Sequence, residues 1–262
     1  MTRRVLVVLI LLCGALGAQA EALRVLFVGN SYTYVHGVPE ILRQMAAAKG
    51  HELEYEQQTP PGRTFQHHWE AGQAVRKMQA GNFDVVVFQN QSFEPVIEPD
   101  TMMKYGQRLA AAAGQAGAKK CYYLTPAYKE PVGWMKQDTD DARRGAERFP
   151  EMYDRLVEAY SELARATGGN VAPVGLAWKL AYESMPELPL HAPDHSHAAP
   201  TGAYLTALVF YATLFEEPPA GLPATLTIKG WKKDKTTEIK LDSKTHQALE
   251  AAAWQACRKF SL

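Results

Sequence analysis

The chain has 262 residues, of which 47% are hydrophobic and 21% charged, with 28 Lys+Arg set against 28 Asp+Glu. That length can bury one sizeable core and rules out a small disulfide-stapled scaffold, while the composition is globular rather than disordered or collagen-like. A formal charge of +0, with no long basic block, argues against a nucleic-acid partner, whose phosphates call for clustered Lys and Arg.

In chain order, Arg3 and Arg4 precede an apolar run from Val5 to Leu12, and Ala18-Gln19-Ala20 places small residues where a signal peptidase reads. Residues 1–20 are therefore expected to be a signal peptide, the mature protein to begin near Glu21, and the destination to be secreted or periplasmic. The run is short for a membrane anchor, and Leu12 before Cys13 does not suit a lipoprotein signal. No later stretch could span a bilayer, so no membrane association is expected after cleavage. Without Arg3 and Arg4 the remainder carries a net −2.

Residues 21–262 read as one α/β domain, because short apolar runs alternate with helical patterns, the signature of a parallel sheet with crossover helices. The predicted strands are Arg24–Val28, Leu53–Gln57, Asp84–Phe88, Cys121–Leu124 and Val171–Val174. Helical spacing marks Pro39–Lys49, His67–Ala80, Asp100–Ala116 and Phe149–Thr167. In such a three-layer sandwich ligands bind outside the carboxyl ends of the strands. Attention thus falls on the loops Gly29–Val38, Thr59–Gln66, Gln89–Ile97, Thr125–Arg143 and Leu188–Pro200. A long apolar helix should start near Pro200, Ala224–Leu241 alternates like a hairpin, and Ser243–Phe260 reads as a closing helix packed at an edge. Cys121 and Cys257 read as buried thiols, although an exported protein could pair them.

Two sequence blocks carry chemistry. The first strand ends at Gly29-Asn30-Ser31, which sets a hydroxyl and a backbone N–H at a strand's carboxyl end, although any tight turn also favours such residues. Far downstream, Asp194 and His197 stand three apart just before the apolar helix. A serine hydroxyl needs a general base, and the base needs an acceptor to fix its tautomer, so Asp-x-x-His can supply both.

With Gly29-Asn30-Ser31-Tyr32-Thr33 at one end and Asp194-His195-Ser196-His197 at the other, the chain resembles the SGNH hydrolases, or GDSL-like lipases and esterases. The likeness runs from about Leu23 to Phe215. It implies a five-stranded parallel sheet in the flavodoxin-like order 2-1-3-4-5, with Ser31 as nucleophile, His197 as base and Asp194 as its orienting carboxylate. It also implies an oxyanion hole from the N–H groups of Ser31 and Gly62 and a side-chain amide. The family's third block is Gly-x-Asn-Asp, whereas this chain has Gln89-Asn90-Gln91-Ser92, which puts Gln91 at the asparagine position. If these residues continued the strand, Gln89 and Gln91 would share one side and Asn90 would face the other.

The resulting expectation is an exported serine esterase that needs no cofactor and acts on a small-molecule or carbohydrate ester, in the first place an acetyl or short acyl group on a sugar. Two other readings remain at this point. His191, Asp194, His195 and His197, with His67-His68 elsewhere, could build a metal-dependent hydrolase. Alternatively, Tyr32, Tyr34, Phe65, Trp69 and Trp134 could line a non-catalytic carbohydrate-binding module on the same fold.

Overall fold

A computed structural model describes residues 21–230, 234–260 and 262; the expected signal peptide, Cys13 included, lies outside the described residues. The first strand, β1 (Leu23–Val28), is fully covered from Val25 onward, as a strand with helices on both faces must be. Ser31–Tyr34 forms one helical turn, α1, capped by the Asn30 side chain, and α2 (Val38–Ala48) leads to β2 (Leu53–Gln58). Next come α3 (Phe65–Ala71), α4 (Gln73–Ala80) and β3 (Val85–Phe88). The single turn α5 (Glu94–Ile97) and the long α6 (Pro99–Gln115) precede β4 (Lys119–Tyr123). Then follow α7 (Asp140–Arg148), α8 (Met152–Thr167), β5 (Asn170–Ala172), α9 (Val174–Ser184) and α10 (Pro200–Phe215). The chain closes with β6 (Thr225–Lys229), β7 (Thr236–Lys240) and α11 (Ser243–Lys259).

The main sheet is parallel throughout, in the order β2-β1-β3-β4-β5. Right-handed crossovers follow from that order: the step from β1 to β2 runs one way, those from β2 onward run the other, and the connecting helices divide between the faces. Helices α3, α4, α6 and α8 pack together on one face, whereas α2, α9, α10 and α11 pack together on the other. This is the α/β three-layer sandwich expected from the sequence. Register aligns Val28 with Gln58 and Phe88, and Phe88 with Tyr122, so the loops leaving β1 to β4 open at one end of the sheet.

Several local expectations change. The helix expected over His67–Ala80 is broken at Gly72, whose φ of 69° turns the chain between α3 and α4. The fifth strand stops at Ala172, and Val174 opens the unanticipated α9. The tail packs on a face rather than an edge: α11 lies against α9 and α10, and the β6–β7 hairpin lies over α2 and α10. A hydrogen bond between His36 Nδ1 and Thr237 Oγ1, 2.9 Å, ties the hairpin to the turn after α1. Cys121 and Cys257 are free thiols, and burial pushes that of Cys121 up to about 12.

Candidate active site

Gly29 permits the tight exit from β1, since a Cβ there would lie 2.6 Å from Gln89 Oε1 and 2.7 Å from Thr33 Oγ1. Gln89 is fully buried and accepts hydrogen bonds at Oε1 from the Asn30 N–H (2.8 Å) and the Thr33 hydroxyl (3.2 Å). Asn30 in turn accepts from the Tyr32 N–H and donates through Nδ2 to the Arg63 carbonyl, 3.0 Å, joining the loops after β1 and β2. From behind, His68 Nε2 lies 2.9 Å from the Gly29 carbonyl, which can only accept, so this nitrogen carries the proton. Burial holds the His68 ring down at about 4, which keeps it neutral and a fixed donor near pH 7.

Ser31 is therefore held at the start of α1, with His197 Nε2 2.8 Å from its Oγ. His197 Nδ1 lies 2.6 Å from Asp194 Oδ2, and Asp194 Oδ1 accepts the N–H groups of Ser196 (3.0 Å) and His197 (2.9 Å). Partial burial pushes the Asp194 carboxyl up, but the bonds from the His197 ring and the two N–H groups outweigh it and hold the carboxyl below its usual range. An ionised Asp194 places the imidazole proton on Nδ1, leaving Nε2 to accept from the serine. Tyr32 braces the same loop by donating its O–H to the Ser196 carbonyl at 2.7 Å, and its ring packs 5.3 Å from that of His197.

A cavity of about 280 Å³ opens here, lined by Ser31, Gly62, Gln91, Tyr128, Trp134 and His197 among others. Gly62 has φ 65° and open space where a Cβ would stand, so its glycine is required by conformation rather than by crowding. Neither the Ser31 nor the Gly62 N–H has a partner among the described residues. Because β3 ends at Phe88, strand alternation does not govern the third block. Gln89 and Asn90 both turn into the interior, whereas Gln91 and Ser92 reach the cavity. Gln91 Oε1 accepts the N–H groups of Phe93 and Glu94, each at 2.8 Å, which leaves its Nε2 without a partner among the described residues.

Asn90 supports this arrangement: its Oδ1 accepts from the Phe65 N–H (2.8 Å) and the Gln91 N–H (2.9 Å), and its Nδ2 donates to Glu94 Oε2. Burial, with a smaller contribution from Glu98 and against the Asn90 bond, pushes the Glu94 carboxyl up to about 7. Sequence reasoning missed Gln89, Asn90, Glu94, His68 and Tyr32 as supports, since each reaches a partner far along the chain or around a turn.

The other clusters disperse. Among the described residues no three His, Cys, Asp or Glu side chains stand together so as to hold a metal ion. His191 faces away, its Nε2 3.0 Å from the Ala127 carbonyl and its Nδ1 2.8 Å from the Tyr182 hydroxyl, so both ring nitrogens are engaged. Of the five loop aromatics, Tyr32 and Trp134 line the cavity, whereas Phe65 is fully buried, Trp69 packs on the core and half-buried Tyr34 ends α1 outside the cavity lining. No helix among the described residues is long and apolar enough to cross a membrane.

No protein-family profile and no curated protein matches the sequence. Among solved structures, the chain resembles a protein from Slackia heliotrinireducens provisionally assigned as an SGNH hydrolase, with 25% identity, a TM-score of 0.60 and coverage of 74% of this chain and 99% of that one. A DUF4886-family protein from Bacteroides uniformis matches at 16% identity and TM-score 0.69, covering 91% of this chain and 96% of the other. The acetyl xylan esterase AlAXEase matches at 15% identity and TM-score 0.57, covering 73% and 99%. The chain has the SGNH hydrolase fold.

Proposed function

We propose that this protein is an exported serine esterase that removes an acetyl or other short acyl group from a carbohydrate. One observation carries the reading: Ser31, His197 and Asp194 form an unbroken hydrogen-bond chain of 2.8 and 2.6 Å at the carboxyl end of β1. In the reaction His197 Nε2 takes the hydroxyl proton as Ser31 Oγ attacks the ester carbonyl. Asp194 stabilises the imidazolium, and the proton passes to the departing alcohol. Water, deprotonated by the same imidazole, then attacks the acyl-serine, releases the carboxylic acid and restores the hydroxyl.

The alkoxide of each tetrahedral intermediate would meet the N–H groups of Ser31 and Gly62 and the free Nε2 of Gln91, donors whose positions are set before substrate arrives. A small cavity walled by Tyr128, Val132 and Trp134 favours a short acyl group. Likeness to an acetyl xylan esterase and an export-type N terminus favour a sugar ester outside the cytoplasm.

Fluorophosphonate labelling tests the mechanism, followed by turnover of acetylated sugars and nitrophenyl esters with and without EDTA. Labelling should depend on Ser31, and Ser31→Ala should lose several orders of magnitude in kcat with an unchanged Tm. His197→Ala should be as crippling, whereas His195→Ala should be mild and EDTA harmless. Wild-type-like turnover by Ser31→Ala would overturn the proposal.

A further inference from the structure

Behind one wall of the Ser31 cavity lies a second and larger pocket, of about 490 Å³, between α8, α9 and the segment after β4. Its sides are aromatic: Tyr153 comes from α8, and Trp178 and Tyr182 come from α9. Two lysines complete it, each over a ring. Lys129 Nζ stands 5.7 Å from the centre of the Tyr182 ring, and Lys179 Nζ stands 4.7 Å from that of Tyr153. Among the described residues Asp154 is the one carboxylate in the lining, so the two ammonium groups leave a positive excess. His191 adds no charge near neutral pH, because burial, with smaller opposition from its bond to Ala127, holds its ring at about 4.

The wall is shared. Tyr128 lines both cavities, and its hydroxyl is 2.7 Å from that of Ser92 on the serine side. On either side of Tyr128, the Ala127 carbonyl accepts from His191, and the Lys129 N–H donates to the His195 carbonyl at 2.9 Å. The loop that carries Asp194 and His197 is thus fastened to the floor of the second pocket at two points.

From this geometry we propose that the second pocket is a binding subsite for a carboxylate-bearing sugar ring, a uronic acid residue next to the one that carries the ester. The half-buried rings of Tyr153 and Tyr182 give the pocket apolar walls for the C–H groups of a pyranose, and the Lys129 and Lys179 ammonium groups beside those rings can meet its carboxylate. A neutral sugar would find the same apolar walls but bring no anion to the two ammonium groups. The assignment as a subsite rests on the esterase reading, whereas the binding itself does not require turnover.

The test is calorimetric titration of the mature Ser31→Ala protein with an acidic oligouronide and with a neutral oligosaccharide of equal length. The oligouronide should bind at least tenfold more tightly. The Lys129→Ala/Lys179→Ala pair and, separately, Tyr153→Ala should each weaken it by tenfold or more with unchanged Tm, and added salt should weaken it further. In catalytically competent protein the lysine pair should raise KM for an acetylated oligouronide while leaving kcat on nitrophenyl acetate unchanged. Absence of oligouronide binding, equal binding of the neutral sugar, or indifference to the lysines would overturn the proposal. Loss of labelling at Ser31 with binding intact would instead remove the esterase reading alone.

Discussion

Gln91 is where this chain departs most from the family it resembles, and the extra methylene of glutamine over asparagine has a visible compensation. Its amide oxygen is pinned by two N–H groups at the start of α5, so the longer arm folds back on the backbone and its NH₂ is what remains for the cavity. Gln91→Ala should therefore lower kcat by about 10²–10³ with little change in KM, because an oxyanion donor acts mainly in the transition state. Michaelis curves on one reactive ester decide it, and an unchanged kcat would leave the backbone N–H groups as the sole donors. Asn90→Ala should act differently: it strands the buried N–H of Phe65 and the half-buried N–H of Gln91, so a loss of about 1–3 kcal/mol in stability is expected along with weaker activity. Glu94 gives this corner a pH signature. With its carboxyl raised from 4.5 to about 7, the folded protein keeps a proton that the unfolded chain has released, so stability falls as pH rises through that window. Glu94→Gln should flatten the Tm-against-pH curve between those limits, by an amount worth up to about 3 kcal/mol; an unaltered slope would refute it. That Ser31 should meet Asp194 and His197 is legible through the family resemblance that the two short blocks carry, whereas the supports of Gln91 depend on side chains that meet only after folding.

At the scale of elements, α9 and α10 show what periodicity can and cannot deliver. Val171–Val174 reads as one apolar run, but Pro173 ends it, and Val174, Ala177, Trp178 and Ala181 then fall at helical spacing on the buried side of α9. The helical pattern is in the sequence, but the apolar run of the strand absorbs its first residue, Val174. Helix α10 was foreseeable from its length and apolarity, but not how closely it approaches the loop before it. A Cβ at Gly202 would lie 2.2 Å from the Leu190 carbonyl and 2.6 Å from the Trp178 ring. Replacing a helical Gly by Ala ordinarily gains up to about 1 kcal/mol, yet overpacking against backbone costs about 1–3 kcal/mol, so the clash should win. Gly202→Ala is expected to lower the denaturation midpoint. It should also lower kcat, because Leu190 leads into the His191–Ala198 bridge that closes the loop carrying Asp194 and His197. A stabilised variant would show that the loop yields freely.

For the whole molecule, the layering follows from the alternation of elements and the sheet order from the family resemblance, but the place of the last forty residues follows from neither. A helix that is apolar on every side must be covered on every side, and α10 is buried at every residue from Gly202 to Ala212. The sheet covers only one flank. Periodicity in Ser243–Phe260 shows that α11 has a face to bury, and alternation in the hairpin shows the same for β6 and β7, yet neither pattern says against what. In the structure Leu249, Ala252, Ala253 and Ala256 close over α9 and α10, and the hairpin strands bury Leu226, Ile228 and Ile239 over α2 and α10. The tail therefore completes the outer layer of the sandwich, although none of its described residues lines the Ser31 cavity. Truncation after Asp242 should uncover the outer flank of α10 together with Trp178's helix, and losing the cover of Leu249, Ala252, Ala253 and Ala256 weighs against a net stability of only roughly 5–15 kcal/mol for a typical domain. The shortened chain is expected to bind a hydrophobic dye, lose near-UV circular dichroism and cease to label at Ser31, even though every residue of the proposed active site is retained. A cooperative melt within a few degrees of the full chain, with labelling preserved, would mean that the sheet and the loops at its carboxyl end fold without their outer cover.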